Sequence, residues 1–478
     1  MKFLPPDSPK IFNARSIRRR EFLQIATGTF ALGIVSTRAA SRANPFRLAT
    51  FSTEVTPPLG HALMGGGIAP AQQISDPLFA RGLVLLDAGK PIVICAIDWC
   101  EIRNDAYERW RAVLARAART EPVRVLVTSV HVHDAPIADL EAQRILNRHS
   151  SAGSICDLTF HEQAVQRVAQ ALSASLKSPA KITHFGIDQA KVERVASNRR
   201  YLLADGTPNY GRMSRNVDPV ARAADEGTID PWLKTLSFWN EERAVAALHC
   251  YATHPMSHYG RGEVSSDFVG AARARRQSDD PGVFQIYTAG CSGNVTAGKY
   301  NDGADENRSL LAGRIYDAMN SAWSGTQRQP LTRCDLSQTR LRLKPRSDGG
   351  YTVPELEARL RADPKPFGQC LAALGLSWRK RLAKNSNIDL PLIDFGAAQL
   401  LLLPGESYVE YQLLAQRLRP ESFVMTMGYG ECAPGYIPIE RAWRENDSNL
   451  RDWCWVAPGA EAEMTRALRV ALRGNASH

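Results

Sequence analysis

Apolar and polar positions change period in short blocks along the chain, and each block's period names its element. "RGLVLLDA" (81–88) and "PIVICAID" (91–98) are apolar runs around a tight Gly-Lys pair, the pattern of a β-hairpin. "NDAYERWRAVLARAART" (104–120) returns apolar residues at helical spacing, and the β-branched run "VRVLVTSVHVH" (123–133) predicts a strand. In "TFHEQAVQRVAQALSASLKS" (159–178), Val165, Val168, Leu172 and Leu176 fall on one helical stripe. "LKTLSFWN" (233–240) and "RAVAALHCYATH" (243–254) predict a second hairpin around Glu241-Glu242. A buried strand (283–290), a helix (308–323), a charged segment with one strand and two helical stretches (335–390), apolar runs at 392–406 and 422–430, and a closing helix (461–473) follow. This alternation, without repeats or a Pro/Ser linker, predicts one large α/β domain, a layered α/β/β/α sandwich of sheets with outer helices.

Composition excludes several function classes. The chain is 478 residues long, 44% hydrophobic and 23% charged, ordinary for a globular protein. Its net charge of +10 is unevenly placed: residues 1–43 carry eight Lys or Arg against Asp7 and Glu21, a net +6, which leaves +4 elsewhere. No Lys/Arg run in the remainder forms a phosphate track, which argues against nucleic acid. The absence of a Gly-rich phosphate loop argues against a nucleotide cofactor.

The N-terminal charge has its own reading. Arg19-Arg20 precede Phe22-Leu23, the apolar-leaning stretch "IATGTFALGIVS" (25–36) follows, and Ser41 and Ala43 occupy small-residue cleavage positions. Residues 1–43 read as a twin-arginine signal peptide that engages the twin-arginine translocation machinery and sends residues 44–478 to the periplasm or beyond. The stretch is too short and too polar to span a bilayer. Nine cysteines make an odd count without metal spacing, and an oxidising compartment leaves room for one or two disulfides whose pairing is open.

Candidate chemistry gathers where apolar runs end. On a strand, His131 and His133 would share a face at its exit, where ligands collect in α/β sheets. His254 closes the second hairpin. It has His258 four residues on, but Pro255 breaks the helix that a zincin motif requires, so His258 reads as a loop residue and His249, mid-strand, as a core histidine. "LLLLPGESYVE" turns at Pro404-Gly405 and releases Glu406, which taken alone is an ordinary first-turn carboxylate. "YTAGCSGNVTAGKYNDG" (287–303) runs a strand into small residues with Ser292 and Thr296 as hydroxyls, and lacks the Gly-x-Ser-x-Gly elbow. Tyr429 and Tyr436 lie in a late Gly/Pro-rich loop.

The order of these features resembles the neutral/alkaline (non-lysosomal) ceramidase family over roughly residues 46–445, including "DPLFARGLVLLD" (76–87), "SNRR" (197–200), "IDPWLKTLSF" (229–238) and "SSDFVG" (265–270). The resemblance implies a zinc amidohydrolase site in a layered α/β domain. Carried over by position, it implies His131, His254 and Glu406 as zinc ligands, and Tyr436 as the fourth, with Tyr429 as the alternative. It also implies His133 beside the substrate amide, Asn198 and Arg199 at the substrate, Thr296 as the hydroxyl residue of the catalytic turn, and Asp267 as support behind the ligands. Three departures stand out: Asp134 replaces the family's Ser in "HVHDAP", "GNVTAG" replaces Gly-Asp-Val-Ser-Pro-Asn, and the residues after Tyr436 are too few for the family's immunoglobulin-like C-terminal domain.

Two functions follow as expectations. The first is an exported zinc-dependent amidohydrolase cleaving a ceramide-like or related lipid amide by metal-activated water, with peripheral membrane contact through its substrate. The second is a catalytically silent exported binding protein on the same scaffold, for which the altered "GNVTAG" and "HDAP" motifs speak.

Overall fold

The computed structural model of the protein describes residues 46–384 and 386–473, and the export segment read at 1–43 lies outside them. Three open sheets carry the structure. In the first, Ile92–Ile97 is buried along its whole length, as a strand covered on both faces must be. It pairs antiparallel with Phe79–Leu86, Leu85 opposite Ile92 as the first hairpin predicts, and parallel with Val125–Ser129. Arg47–Glu54 and Ala180–Lys181 complete this sheet. Helices Asn104–Ala118 and Leu158–Ser175 pack against it, burying Trp110 and Leu114 from one and Val165, Val168 and Leu172 from the other. Asp157 caps the second helix by accepting from the amides of Thr159 and Phe160.

The second sheet runs in the order Phe284–Ala289, Arg243–Tyr251, Trp232–Asn240, His184–Lys191 and Gln327–Pro330. Its centre is the second predicted hairpin, Asn240 opposite Arg243, and helices Asp267–Asp279 and Glu306–Ser324 cover it. The third sheet, Asp335–Leu341, Ile388–Asp394, Ala398–Leu402 and Phe423–Met427, is backed by helices Val409–Leu418 and Ala460–Arg473. Phe284–Ala289 lies beside Ile92–Ile97 and Val125–Ser129, so the first two sheets meet in one continuous core. The result is the single layered α/β domain that the alternation predicts. Helix Leu140–Arg148, capped by Asp139, was not expected from the sequence. All nine cysteines are buried and free, so none forms a disulfide. Among the described residues no helix is long and apolar enough to cross a membrane.

Two predicted strands end early, and both endings matter. The run 123–133 stops at Ser129 and the run 243–254 stops at Tyr251. Past Ser129 the amides of Val130 and His131 turn to the carbonyls of Ile97 and Trp99, so strand alternation does not set the relation of His131 to His133.

Two buried carboxyl groups, Asp98 and Asp134, fasten the layers. Arg273, on the helix over the second sheet, donates to both carboxylate oxygens of Asp98 at 2.6 and 2.7 Å, and the Phe79 amide adds a third bond to Asp98 at 2.9 Å. Asp134 ties the loop after the first sheet to the second: its carboxylate accepts from the Gly260 amide at 2.9 Å, its carbonyl from the Ser265 amide at 3.2 Å. The other carboxylate oxygen of Asp134 is buried without a hydrogen bond, and burial pushes this carboxyl up to about 7.

Removing one partner of the Asp98–Arg273 pair strands a buried charge. Asp98→Ala should therefore cost about 3–5 kcal/mol in denaturant unfolding; a loss under about 1 kcal/mol would show the pair to be dispensable. For Asp134, the folded chain holds the proton more tightly than the unfolded chain, where the group titrates near about 3.9. Its stabilising contribution is full below about pH 4 and is lost as pH rises towards about 7. Asp134→Asn keeps the acceptor and removes this dependence. In metal-free protein the variant should gain more than about 1 kcal/mol on wild type between pH 4 and pH 8; parallel stability curves would contradict this.

Candidate metal centre

The site forms where three strands run out. His131 takes a left-handed conformation, φ +69°, uncommon outside glycine and held here by surrounding contacts. Its ring stacks on Tyr429, centroids 4.1 Å apart, and the Tyr429 carbonyl accepts from the Ser129 amide. His131 Nδ1 lies 2.8 Å from the Cys100 carbonyl oxygen. A carbonyl only accepts, so Nδ1 carries a hydrogen and Nε2 is the nitrogen left to ligate when the ring is neutral.

His254 repeats this logic from the second sheet. Its amide donates to the Val295 carbonyl, and its Nδ1 donates to the Ser292 carbonyl at 2.7 Å. The Ser292 hydroxyl bonds the Tyr429 hydroxyl at 2.7 Å, which ties the supports of the two histidines together. Glu406 arrives through the Pro404-Gly405 turn. Gly405 sits at φ +52°, and a Cβ there would fall 2.7 Å from the Gly435 carbonyl oxygen, so this turn needs glycine. Glu406 is not the helix-start residue its motif suggests: Glu406–Ser407 pairs in parallel with Tyr436–Ile437, Glu406 opposite Tyr436.

The three acceptors converge. Glu406 Oε2 lies 3.0 Å from His254 Nε2 and 3.4 Å from His131 Nε2, and all three side chains are almost fully buried. Burial, helped by the nearby charge of Arg199, holds His254 well below the usual histidine range, hence neutral. Two imidazole nitrogens and a carboxylate oxygen thus face a common point, with the Arg199 guanidinium 3.3 Å from His254 Nε2. The donor set therefore fits a divalent metal ion.

Around it opens a cavity of about 190 Å³. His131, His133, Arg199, Glu406, Tyr436 and Cys100 give its polar side; Met64, Met213, Met256, Tyr259, Phe367 and Trp453 give an extensively apolar remainder. Half-buried His133 places Nε2 3.3 Å from His131 Nε2 and Nδ1 3.0 Å from Met64 Sδ. Burial and the neighbouring histidines keep His133 well below its usual range. Arg199 donates to the Tyr436 hydroxyl at 2.6 Å and reaches His254 Nε2 at 3.3 Å, while its buried Nε–H finds no acceptor.

Of the residues read from the sequence, His131, His133, His254, Glu406, Arg199 and Tyr436 come together. Tyr436 lines the cavity, whereas Tyr429 stands behind His131. Three others lie one step back. The Thr296 hydroxyl donates to the Met213 carbonyl at 3.2 Å and is not among the cavity-lining groups. Asn198 bonds the Thr228 carbonyl and the Arg200 amide, and its own carbonyl accepts from buried Arg212. Asp267 accepts from the amide and hydroxyl of Ser257 at 3.0 and 2.6 Å and so pins the turn after His254. His249 is a satisfied core histidine between Thr235 and Gln285; His258 lies outside the cavity lining. The Cys100 and Ser292 carbonyls that select the tautomers carry no residue-type signal, and the wall residues Met64, Phe367 and Trp453 belong to runs that read as ordinary packing.

No protein-family model and no curated protein matches the chain. Solved structures do. A neutral ceramidase from Pseudomonas aeruginosa aligns with TM-score 0.63 and 15% identity over 91% of this chain and 75% of its own. A ceramidase complexed with C2 aligns with TM-score 0.63 and 16% identity over 90% and 75%. The fold of this chain is thus a ceramidase-like fold, at a sequence distance where little besides architecture is shared.

Proposed function

We propose that the chain is an exported zinc-dependent amidohydrolase that cleaves the amide bond of an N-acyl lipid or a related N-acyl amide. One observation carries this reading: the unprotonated Nε2 atoms of His131 and His254 face the Glu406 carboxylate at the floor of a largely apolar cavity. The ceramidase-like fold supports an amide as the scissile bond. Two neutral imidazoles and one carboxylate are the ligand set of hydrolytic zinc sites that keep an open position. Zinc held there would supply a water with pKa near about 7 and polarise the substrate carbonyl.

The chain's own residues supply the rest. His133, kept neutral and within reach of the same point, accepts the attacking water's proton at Nε2 and returns a proton to the leaving amine. Arg199 orients Tyr436 beside the ligands. Tyr436, which lines the cavity and pairs with Glu406 along the backbone, serves as the fourth ligand. Thr296 acts through the main chain, by holding Met213 in the wall. The methionines and aromatic rings exclude water and take the acyl chain, so the substrate brings the protein to a lipid surface. The Arg19-Arg20 segment would deliver it there by twin-arginine export.

Purified protein should hold one zinc per chain by metal analysis. His131→Ala and His254→Ala should lose both the zinc and the hydrolysis of a fluorogenic N-acyl amide, with secondary structure unchanged by circular dichroism. His133→Ala should keep the zinc and lose about 10²–10⁴-fold in kcat. Zinc bound without turnover of any amide or ester in a broad screen would overturn the hydrolase in favour of a silent binding protein. Replacing Arg19-Arg20 by Lys-Lys should leave the protein in the cytoplasm on cell fractionation; undiminished export would remove the twin-arginine route.

A further inference from the structure

His131 belongs to two potential ligand sets. Besides the set with His254 and Glu406, ligating atoms of Cys100, His131 and His133 lie within 4.8 Å of one another, and Met64 Sδ sits 3.0 Å from His133 Nδ1. We propose that Cys100, His133 and His131 form a second cation site, selective for soft thiophilic cations, that competes with the zinc site for His131. The competition rests on the zinc reading above; the thiol site itself does not.

The donor chemistry sets the selectivity. A thiolate with imidazole nitrogen favours soft cations, whereas the first set is nitrogen and oxygen only. Among nine buried cysteines, Cys100 lines the cavity and the other eight do not. Its thiol is weakly held: the nearest partner, His131 Nδ1, is 3.9 Å away and already donates to the Cys100 carbonyl. An entering cation forms the sulfur–metal bond as the thiol proton leaves to solvent.

Exclusion follows from the tautomer. With Nδ1 committed to the Cys100 carbonyl, His131 has one free lone pair, on Nε2, 3.4 Å from Glu406 Oε2 on one side and 3.3 Å from His133 Nε2 on the other. One lone pair serves one cation. A soft ion seated on Cys100 and His133 takes His131 from the first set and occupies the histidine that the hydrolysis uses as its base.

The test is a cadmium titration of the zinc-loaded full chain. A thiolate-to-cadmium absorption band should grow to saturation at one equivalent, in step with the release of one zinc per chain to a chromogenic chelator. In Cys100→Ser the band should vanish, and zinc release should need at least about tenfold more cadmium. Cys100→Ala should behave like Cys100→Ser, with zinc content unchanged before cadmium is added, and it decides the matter if Cys100→Ser fails to fold. A band that persists in Cys100→Ser, or cadmium bound at the thiol with zinc fully retained, would overturn the proposal. A chain that never holds zinc would sink the hydrolase reading instead, while the same titration of zinc-free protein, wild type against Cys100→Ser, still decides the thiol site.

Discussion

The tautomer of two buried histidines is the constraint on which the rest depends. His131 and His254 each give their Nδ1–H to a main-chain carbonyl, Cys100 and Ser292 respectively. That leaves two lone pairs directed at one carboxylate. A carbonyl cannot trade roles as a hydroxyl or amide could, so the ring orientation is set by the backbone itself. The neutral state of His254, favoured by burial and by Arg199, maintains the same arrangement.

Holding those carbonyls in place takes a rigid frame, and the frame is bought with local strain. His131, Tyr429 and Asp267 all adopt left-handed conformations, at φ +69°, +55° and +52°. Non-glycine residues keep such conformations only where neighbours over-determine them. Here the neighbours are visible: the His131–Tyr429 stack, the Tyr429–Ser292 hydroxyl bond, and the Ser257 bonds to Asp267. The first two link segments far apart in the chain, so the geometry of the centre reports the assembly of both sheets.

Much of this was legible in the sequence, though not always for the reason first visible. Long periodic segments, such as the hairpin 79–97 and the helix Leu158–Ser175, follow from apolar spacing alone. The candidate ligands stood out because His, Glu and Tyr each close an apolar run. Their convergence did not: His131 and His133 meet through a left-handed bend past Ser129, and strand alternation would have given a different relation. Thr296 shows the opposite case. Its motif reads as catalytic, yet its hydroxyl is spent on a main-chain carbonyl. Hydrogen bonds to carbonyls and wall residues such as Trp453 leave no trace in residue type, because they depend on where distant backbone lands.

The two-residue ladder between Glu406–Ser407 and Tyr436–Ile437 has a consequence of its own. Its registration comes from peptide groups, so the position opposite Glu406 stays at the centre whatever side chain occupies it. Evolution or a designer could exchange the phenol there for imidazole, carboxylate or a plain methyl group without re-aiming the loop. The centre thus contains a built-in socket, through which its set of donor groups could be changed one substitution at a time.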